Sequence, residues 1–493
     1  MTQVEKPSCN VLWLKRDLRI RDHAPLQAAL QTHLPLVLLY VWEPATMAYP
    51  DWDLRHGQFV WQALQALNQS LRPYQAEVAQ PYGHILDVLD WISHFYSIRG
   101  VYSHQETSLR VGYERDQAVK KYLLQNQVAW YEFQLNGVER GRRNRAGWDE
   151  AWKNFMKAPL QHPDLGALQS LPLPWPEKLQ MPPHLAEALA QYPATYQPAG
   201  EKYAWQYFRS FLNHRAAHYN RHLSLPEQSR TSCSRLSPYL AWGNLSVRQV
   251  YQAYQQVLGE SPYRFQLKSF RSRLQWRCHF IQKFEMEDRM EFAHLNRGYT
   301  DLGQELRLEW IAAWEEGKTG YPLVDAAMRC VRATGYLNFR LRAMVVSFLS
   351  HLLWQPWQSG VHHLARMFLD YEPGIHFCQF QMQAGVTGIN TIRVYNPVKQ
   401  AQEKDREGIF IRKWVPELAH IPPALLAQPS QMTAFEQNLY RCRLGEDYPY
   451  PVVVFEKAYK RASSHLHLMK KKEAVRQENQ RILRRHVRPK AEE

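Results

Sequence analysis

"NVLWLKRDLRI", residues 10–20, opens on an apolar run, Val11 to Leu14, that ends abruptly in charge. A short run of this kind reads as a strand buried on both faces. Outward from it, "LPLVLLYVW" (34–42), "GVYSHQ" (100–105) and "VAWYEFQ" (128–134) are further strand candidates. Helical periodicity fills the intervals at 54–70, 84–97 and 113–125. Strands alternating with helices imply a parallel sheet covered on both faces. Residues 10–135 therefore read as a doubly wound α/β domain. No G-x-G-x-x-G follows the first strand, so the common dinucleotide fingerprint is missing.

Residues 157–200 change character, because they hold nine of the 30 prolines. A proline-dense stretch continues neither a helix nor a central strand, so this is a long, partly extended connector. From about 201 helical periodicity dominates, as in "SPYRFQLKSFRSRLQWRCHFIQKF" (261–284) and "RLRAMVVSFLSHLLW" (340–354). A large helical domain ends near 456, followed by a basic tail that reads as a solvated amphipathic helix or a nucleic-acid contact. The expected units are 1–140 (α/β), 141–200 (connector), 201–456 (helical) and 457–493 (tail).

A chain of 493 residues with 45% hydrophobic content is long and apolar enough for real cores. Its formal net charge of +15 favours an anionic partner, either nucleic acid or a polyanionic cofactor. Seventeen Trp and 27 Tyr suit stacking on flat ligands, although most large aromatics fill cores. The six cysteines are scattered with no C-x-x-C pair, so no zinc or iron–sulfur site is signalled and no metal is expected. A polar N-terminus and the lack of a bilayer-length apolar run lead us to expect a soluble cytoplasmic protein with no membrane contact.

The stretch "TSCSRLSPYLAWGNLSVRQV" (231–250) sets hydroxyls and backbone-permissive residues before a helical pattern. Free amides and hydroxyls at a helix start form an anion site. The same residues are ordinary N-caps, and on residue type alone both readings stand.

Four motifs in order resemble the photolyase/cryptochrome flavoprotein family. They are "VLWLKRDLRIRDHAPL" (11–26), "SRLSPYLAWGNLS" (234–246), "WEEGKTGYPLVDAAMRCVRATGYLNFRLR" (314–342) and "RVYNPVKQAQEKDREGIFIRKWVPEL" (393–418). The resemblance implies an N-terminal doubly wound parallel-sheet domain and a large all-helical FAD-binding domain. It also implies that the anion is the FAD diphosphate. Tyr219, Thr231, Ser232, Ser234, Leu236 and Ser237 fall where the family contacts phosphates and ribitol, with one residue inserted around Cys233. Arg342 and Asp370 match the pair beside the isoalloxazine, and Glu372 a second carboxylate at the ring edge. Phe270, Arg277 and Asn338 belong to the same implied cofactor-binding set.

The implied activity is that of a deoxyribodipyrimidine photolyase, a carbon–carbon lyase in which light-excited reduced FAD passes an electron to a pyrimidine dimer in UV-damaged DNA. The alternative is a cryptochrome-type blue-light photoreceptor that binds FAD without repairing DNA. Departures bear on that choice. Trp276 stands where a stacking Trp is expected, but Arg273 replaces the glutamate that meets a cyclobutane dimer, and Phe339 and Ala343 replace an Asn and a Met. The paired histidines of (6-4) enzymes are absent at Asn338-Phe339. The usual three-tryptophan relay keeps Trp357, while Phe377, Cys378 and Phe380 occupy the inner region and Gln304 the outer station. His376 and Gly374 are the candidates facing flavin N5, and Tyr371 and Trp354 are alternative relay aromatics. Arg273, Trp276, Phe339 and Phe380 are the expected lesion contacts, with Trp276, Arg273 and Trp357 the expected catalytic set. Arg140, Arg142 and Arg143 in "RGRRNR" (140–145) read as DNA contacts or as interdomain ion pairs. An antenna chromophore is common in the family, and "SHQETSLRVGYERD" (103–116) resembles a region that helps hold it in some members; methenyltetrahydrofolate, a deazaflavin or none all stay open. A monomer is expected.

Overall fold

Ser8–Leu14 (β1), Leu36–Tyr40 (β2), Ser97–His104 (β3) and Ala129–Phe133 (β4) form one parallel sheet in the order β2-β1-β3-β4. The computed structural model describes residues 6–487. The first five residues and the last six of the tail lie outside it. Successive β1 side chains point to opposite faces, so Leu12 and Leu14 enter one core while Val11 and Trp13 enter another. That two-sided burial is why β1 reads as a continuous apolar run. Leu54–Leu71, Ile85–Phe95 and Arg110–Gln125 are the expected helices, and Ala24–Leu30 adds one more behind β1. The Ala24–Leu30 helix starts on His23, whose Nδ1 accepts the Leu26 amide.

The connector is partly extended, and it extends the sheet. Leu36 donates its amide to Gln169 and its carbonyl accepts from Leu171, so the proline-rich chain covers the outer edge of β2. It also includes the helix Pro183–Ala190, which packs on Leu54–Leu71. Just before the proline-rich stretch, Trp148–Lys157 forms another helix.

From Glu201 onward every regular element of the described chain is helical. One core spans both layers, running from Leu12 of β1 to Phe208, Phe270 and Leu369 of the helical part. The "RDLR" and "AWGN" motifs meet at this seam. Leu18 donates its amide to the Trp242 carbonyl, Arg19 Nη1 lies 3.1 Å from the Gly243 carbonyl, and Asn244 Nδ2 lies 3.1 Å from that of Leu18. Gly243 has φ +72°, and a Cβ there would come 2.2 Å from the Arg16 carbonyl. Asp22 receives Arg248 and Ser246 across the same seam.

The tail departs from the expectation of a solvated helix. Phe455–Lys471 and Glu473–His486 are two helices whose apolar faces, Ala462, Leu466, Met469, Val475 and Ile482, join the largest helical core. Their basic residues face outward because that amphipathic stripe is buried.

Candidate functional site

A cavity of about 990 Å³ opens inside the helical part. Its longest wall is the helix Arg264–Met286, which contributes Phe270, Arg273, Trp276, Arg277, Phe280 and Lys283. The spacing of three or four residues puts all six on one face. A second wall is Pro373–Gln383. There Gly374 lets the two helices touch, since a Cβ at Gly374 would lie 2.8 Å from Ile281 Cα.

The loop before Ser237 lines one end through Cys233, Ser234, Arg235, Leu236 and Ser237. Arg235 holds φ +60°, an uncommon left-handed turn, with its guanidinium 3.7 Å from the Tyr336 ring centroid. Thr231 and Ser232, expected in this set, are turned away. Thr231 donates to the Gln228 carbonyl and Ser232 pairs with His222 Nδ1. Cys233 takes a wall position instead. Tyr219 and Phe270 line the same end and pack edge to face. Tyr219 is held well above its ordinary value, by burial first and then by Cys233, against the opposing Arg273.

Arg342 and Asp370 are paired at 2.7 Å, and Arg342 Nε also donates to the Leu337 carbonyl. Burial alone would raise the Asp370 carboxyl, but the Arg342 charge and hydrogen bonds from Arg342 and Ser237 hold it below the ordinary range. Arg277 meets Glu372 at 3.0 Å and the Leu240 carbonyl at 2.8 Å. Asn338 caps the helix Phe339–Ser347 through Oδ1 and reaches Ser229 through Nδ2, so it lines the cavity already oriented.

The mouth is aromatic. Trp276 is 49% exposed and Phe339 52%, unusual for such large rings, and Trp276 stacks on Phe280 with centroids 5.6 Å apart. Of the two N5 candidates, His376 lines the cavity and Gly374 does not. Burial pulls His376 down to about 3, and its Nε2 lies 2.8 Å from the Val361 carbonyl. The neutral ring therefore donates through Nε2 and keeps Nδ1 bare.

Of the relay residues, Trp357 and Gln304 do not line the cavity. Trp357 is fully buried, donates to His294 Nδ1 at 3.1 Å, and sits behind Phe377 and Phe380, of which Phe380 reaches the cavity. Gln304 bonds the Ser350 and Gln355 carbonyls. Tyr371 lines the cavity and also a cleft toward the sheet, whereas Trp354 borders neither.

Arg140 pairs with Glu132 and reaches Glu285 at 3.8 Å, and Arg142 pairs with Glu139. These two are engaged as ion pairs, and Arg143 is exposed. The residue of this stretch that reaches the cavity is Arg145, which sequence reasoning passed over. Lys283 and His486 were missed as well. Lys283 lies seven residues beyond Trp276, on the face that helical spacing from Trp276 would have picked out.

Beyond the cavity, Asp17 Oδ2 lies 2.7 Å from His104 Nδ1 and 3.0 Å from His23 Nε2, the one cluster of metal-ligand type among the described residues. His23 spends its other nitrogen capping a helix, and the Asp17 carboxylate lies between the two imidazoles. The cleft at the carboxyl ends of β1 and β2 is where open α/β sheets take ligands. It measures about 110 Å³, well under the roughly 300 Å³ of a typical small-molecule site. Arg115 bridges Glu43, Glu106 and Asp116 across it.

Comparison with known proteins now has a geometry to meet. A model of DNA photolyase matches residues 10–138, and one of the FAD binding domain of DNA photolyase matches residues 270–467. The chain belongs to the photolyase/cryptochrome family. A deoxyribodipyrimidine photo-lyase of Alkalihalophilus pseudofirmus is 27% identical over 93% of this chain and 97% of its own length. A cryptochrome DASH of Gloeobacter violaceus is 29% identical over 90% and 92%. A bacterial class III photolyase of Agrobacterium tumefaciens superposes with TM-score 0.83 at 23% identity, covering 96% of this chain and all of its own. FAD is thus the cofactor of the helical part, and the cavity has the volume and the cationic lining to receive it.

Proposed function

We propose that the protein is a light-driven DNA-repair flavoprotein that holds FAD in this cavity and acts on a UV-induced pyrimidine dimer. The observation that supports it best is one enclosure with two chemistries. An interior holding the Arg342–Asp370 and Arg277–Glu372 ion pairs is followed by a mouth of exposed aromatic rings, Trp276 and Phe339. Arg235, Arg273, Arg277, Lys283 and Arg342 outnumber Asp370 and Glu372 on the wall, which suits a polyanionic ligand.

In this reading the Cys233–Ser237 loop, with Tyr219 and Phe270, holds the diphosphate and ribitol. The Arg342–Asp370 and Arg277–Glu372 pairs orient the ring system, and Asn338 lines its edge. Bound FAD supplies the light-excited electron that splits the dimer. Trp276 and Phe339 receive a base turned out of its strand, because stacking replaces what unstacking costs. Arg273, in place of a carboxylate, donates to a phosphate or carbonyl and accepts from neither. The units 1–140, 141–200, 201–456 and 457–493 follow as our division of a monomeric, cytoplasmic protein.

Arg273 and Phe339 favour one second reading, a photoreceptor that keeps FAD without repair. The discriminating test is binding in the dark. The FAD-loaded protein should prefer an oligonucleotide carrying one dimer over the same strand undamaged, by fluorescence anisotropy. Equal affinity for both would favour the photoreceptor.

A further inference from the structure

Lys283 is a lysine in an uncommon place. It sits on the Arg264–Met286 helix, two turns past Trp276 on the same face, and lines the cavity while only 6% exposed. No hydrogen bond or ion pair to its ammonium exists among the described residues. Burial lowers its pKa and Arg145 adds to that, against Cys378 and Glu287. The Cys378 thiol is pushed up to about 12 by burial and stays protonated. His486 is pulled down to about 4 by burial and is neutral. Glu287, the nearest acid, is already bound by His486 at 2.7 Å and Arg481 at 3.0 Å. Arg145 lies on the same wall, buried, with its guanidinium 4.6 Å from the Trp148 ring centroid and Nη2 donating to the His279 carbonyl at 2.6 Å. A buried lysine lining a cavity keeps its charge when an anion meets it there.

We propose that Lys283, with Arg145 on the same wall, is an anion subsite that grips one phosphodiester of the strand whose base stacks on Trp276. This rests on the DNA reading above. Seven helical residues put Lys283 roughly 10 Å along the axis from Trp276, within reach of a phosphate flanking a stacked base. The FAD diphosphate is the other anion in this cavity, and it does not serve both ends. Arg273, which acts on Tyr219 at that other end of the cavity, is ten residues from Lys283, roughly 15 Å along the same axis. Lysine acts on phosphate as a compact point charge, which tolerates the varied approach of a flexible strand.

The test uses the full-length, FAD-loaded protein in the dark and a single-stranded oligonucleotide with one thymine dimer. A single phosphodiester beside the dimer is replaced by neutral methylphosphonate, one position at a time. One position should weaken wild-type binding about tenfold and leave Lys283→Gln unaffected, and the salt slope of Lys283→Gln should be smaller by about 0.7. Lys283→Met, which keeps the volume without the charge, should match Lys283→Gln, and an unchanged flavin spectrum reports that both variants are folded. Methylphosphonates that weaken wild type and variants alike overturn the subsite while the DNA reading stands. Competition by millimolar inorganic phosphate that depends on Lys283, with no methylphosphonate effect, assigns the site to a free anion and overturns the phosphodiester. A wild type that binds no oligonucleotide fails the DNA reading itself.

Discussion

Asp370 shows how a single residue depends on its partner. Its carboxyl is buried, and the Arg342 guanidinium at 2.7 Å is what keeps it charged. Because its folded pKa lies below the unfolded one, its contribution is present at neutral pH and is lost only on strong acidification. Asp370→Asn leaves Arg342 facing the cavity without a counter-charge. FAD binding should weaken at least about tenfold, read by titrating flavin fluorescence. Unchanged affinity would mean that the pair is structural only. This pair was legible from the sequence through the family motif. That Ser234 and Ser237 line the cavity while Thr231 and Ser232 bond elsewhere was not, because neighbouring hydroxyls are chemically equivalent until the backbone orients them.

Elements meet where glycine removes a side chain. Gly243 lets the helical layer approach the Arg16 carbonyl after β1, and the hydrogen bonds at Leu18, Arg19 and Asn244 depend on that approach. Gly243→Ala adds a left-handed penalty of about 1–2 kcal/mol before any clash is counted. A lower Tm by calorimetry, with earlier loss of FAD, is the expected result; an unchanged Tm would place the seam's stability elsewhere. The strands and most helices of the sheet layer were legible, since two-sided burial writes apolar runs and helices write a 3.6-residue period. The docking of the tail was less so. Its charge is visible in the sequence, while its buried stripe of Ala462, Leu466, Met469, Val475 and Ile482 shows only against the body it packs on.

At the scale of the whole molecule, buried imidazoles set the acid limit. Burial holds His56 and His351 down to about 4 and His104 to about 3. Unfolded, the same groups titrate near 6.5. Between those values the unfolded chain binds protons that the folded chain refuses, so stability falls as pH drops from about 6.5 toward 4. The Tm at pH 5 should lie below that at pH 7.5, and equal values would contradict the burial of these rings. The central claim concerns chemistry, and it is tested most directly by light. The FAD-loaded, chemically reduced protein is illuminated with oligonucleotides carrying one cyclobutane dimer or one (6-4) product, and restored thymines are counted by chromatography. Chemical reduction bypasses Phe377 and Phe380, which screen Trp357 from the cavity. Restoration of one lesion, abolished in the dark, is the predicted result. Intact lesions of both kinds, with reduced FAD bound, would contradict a repair function.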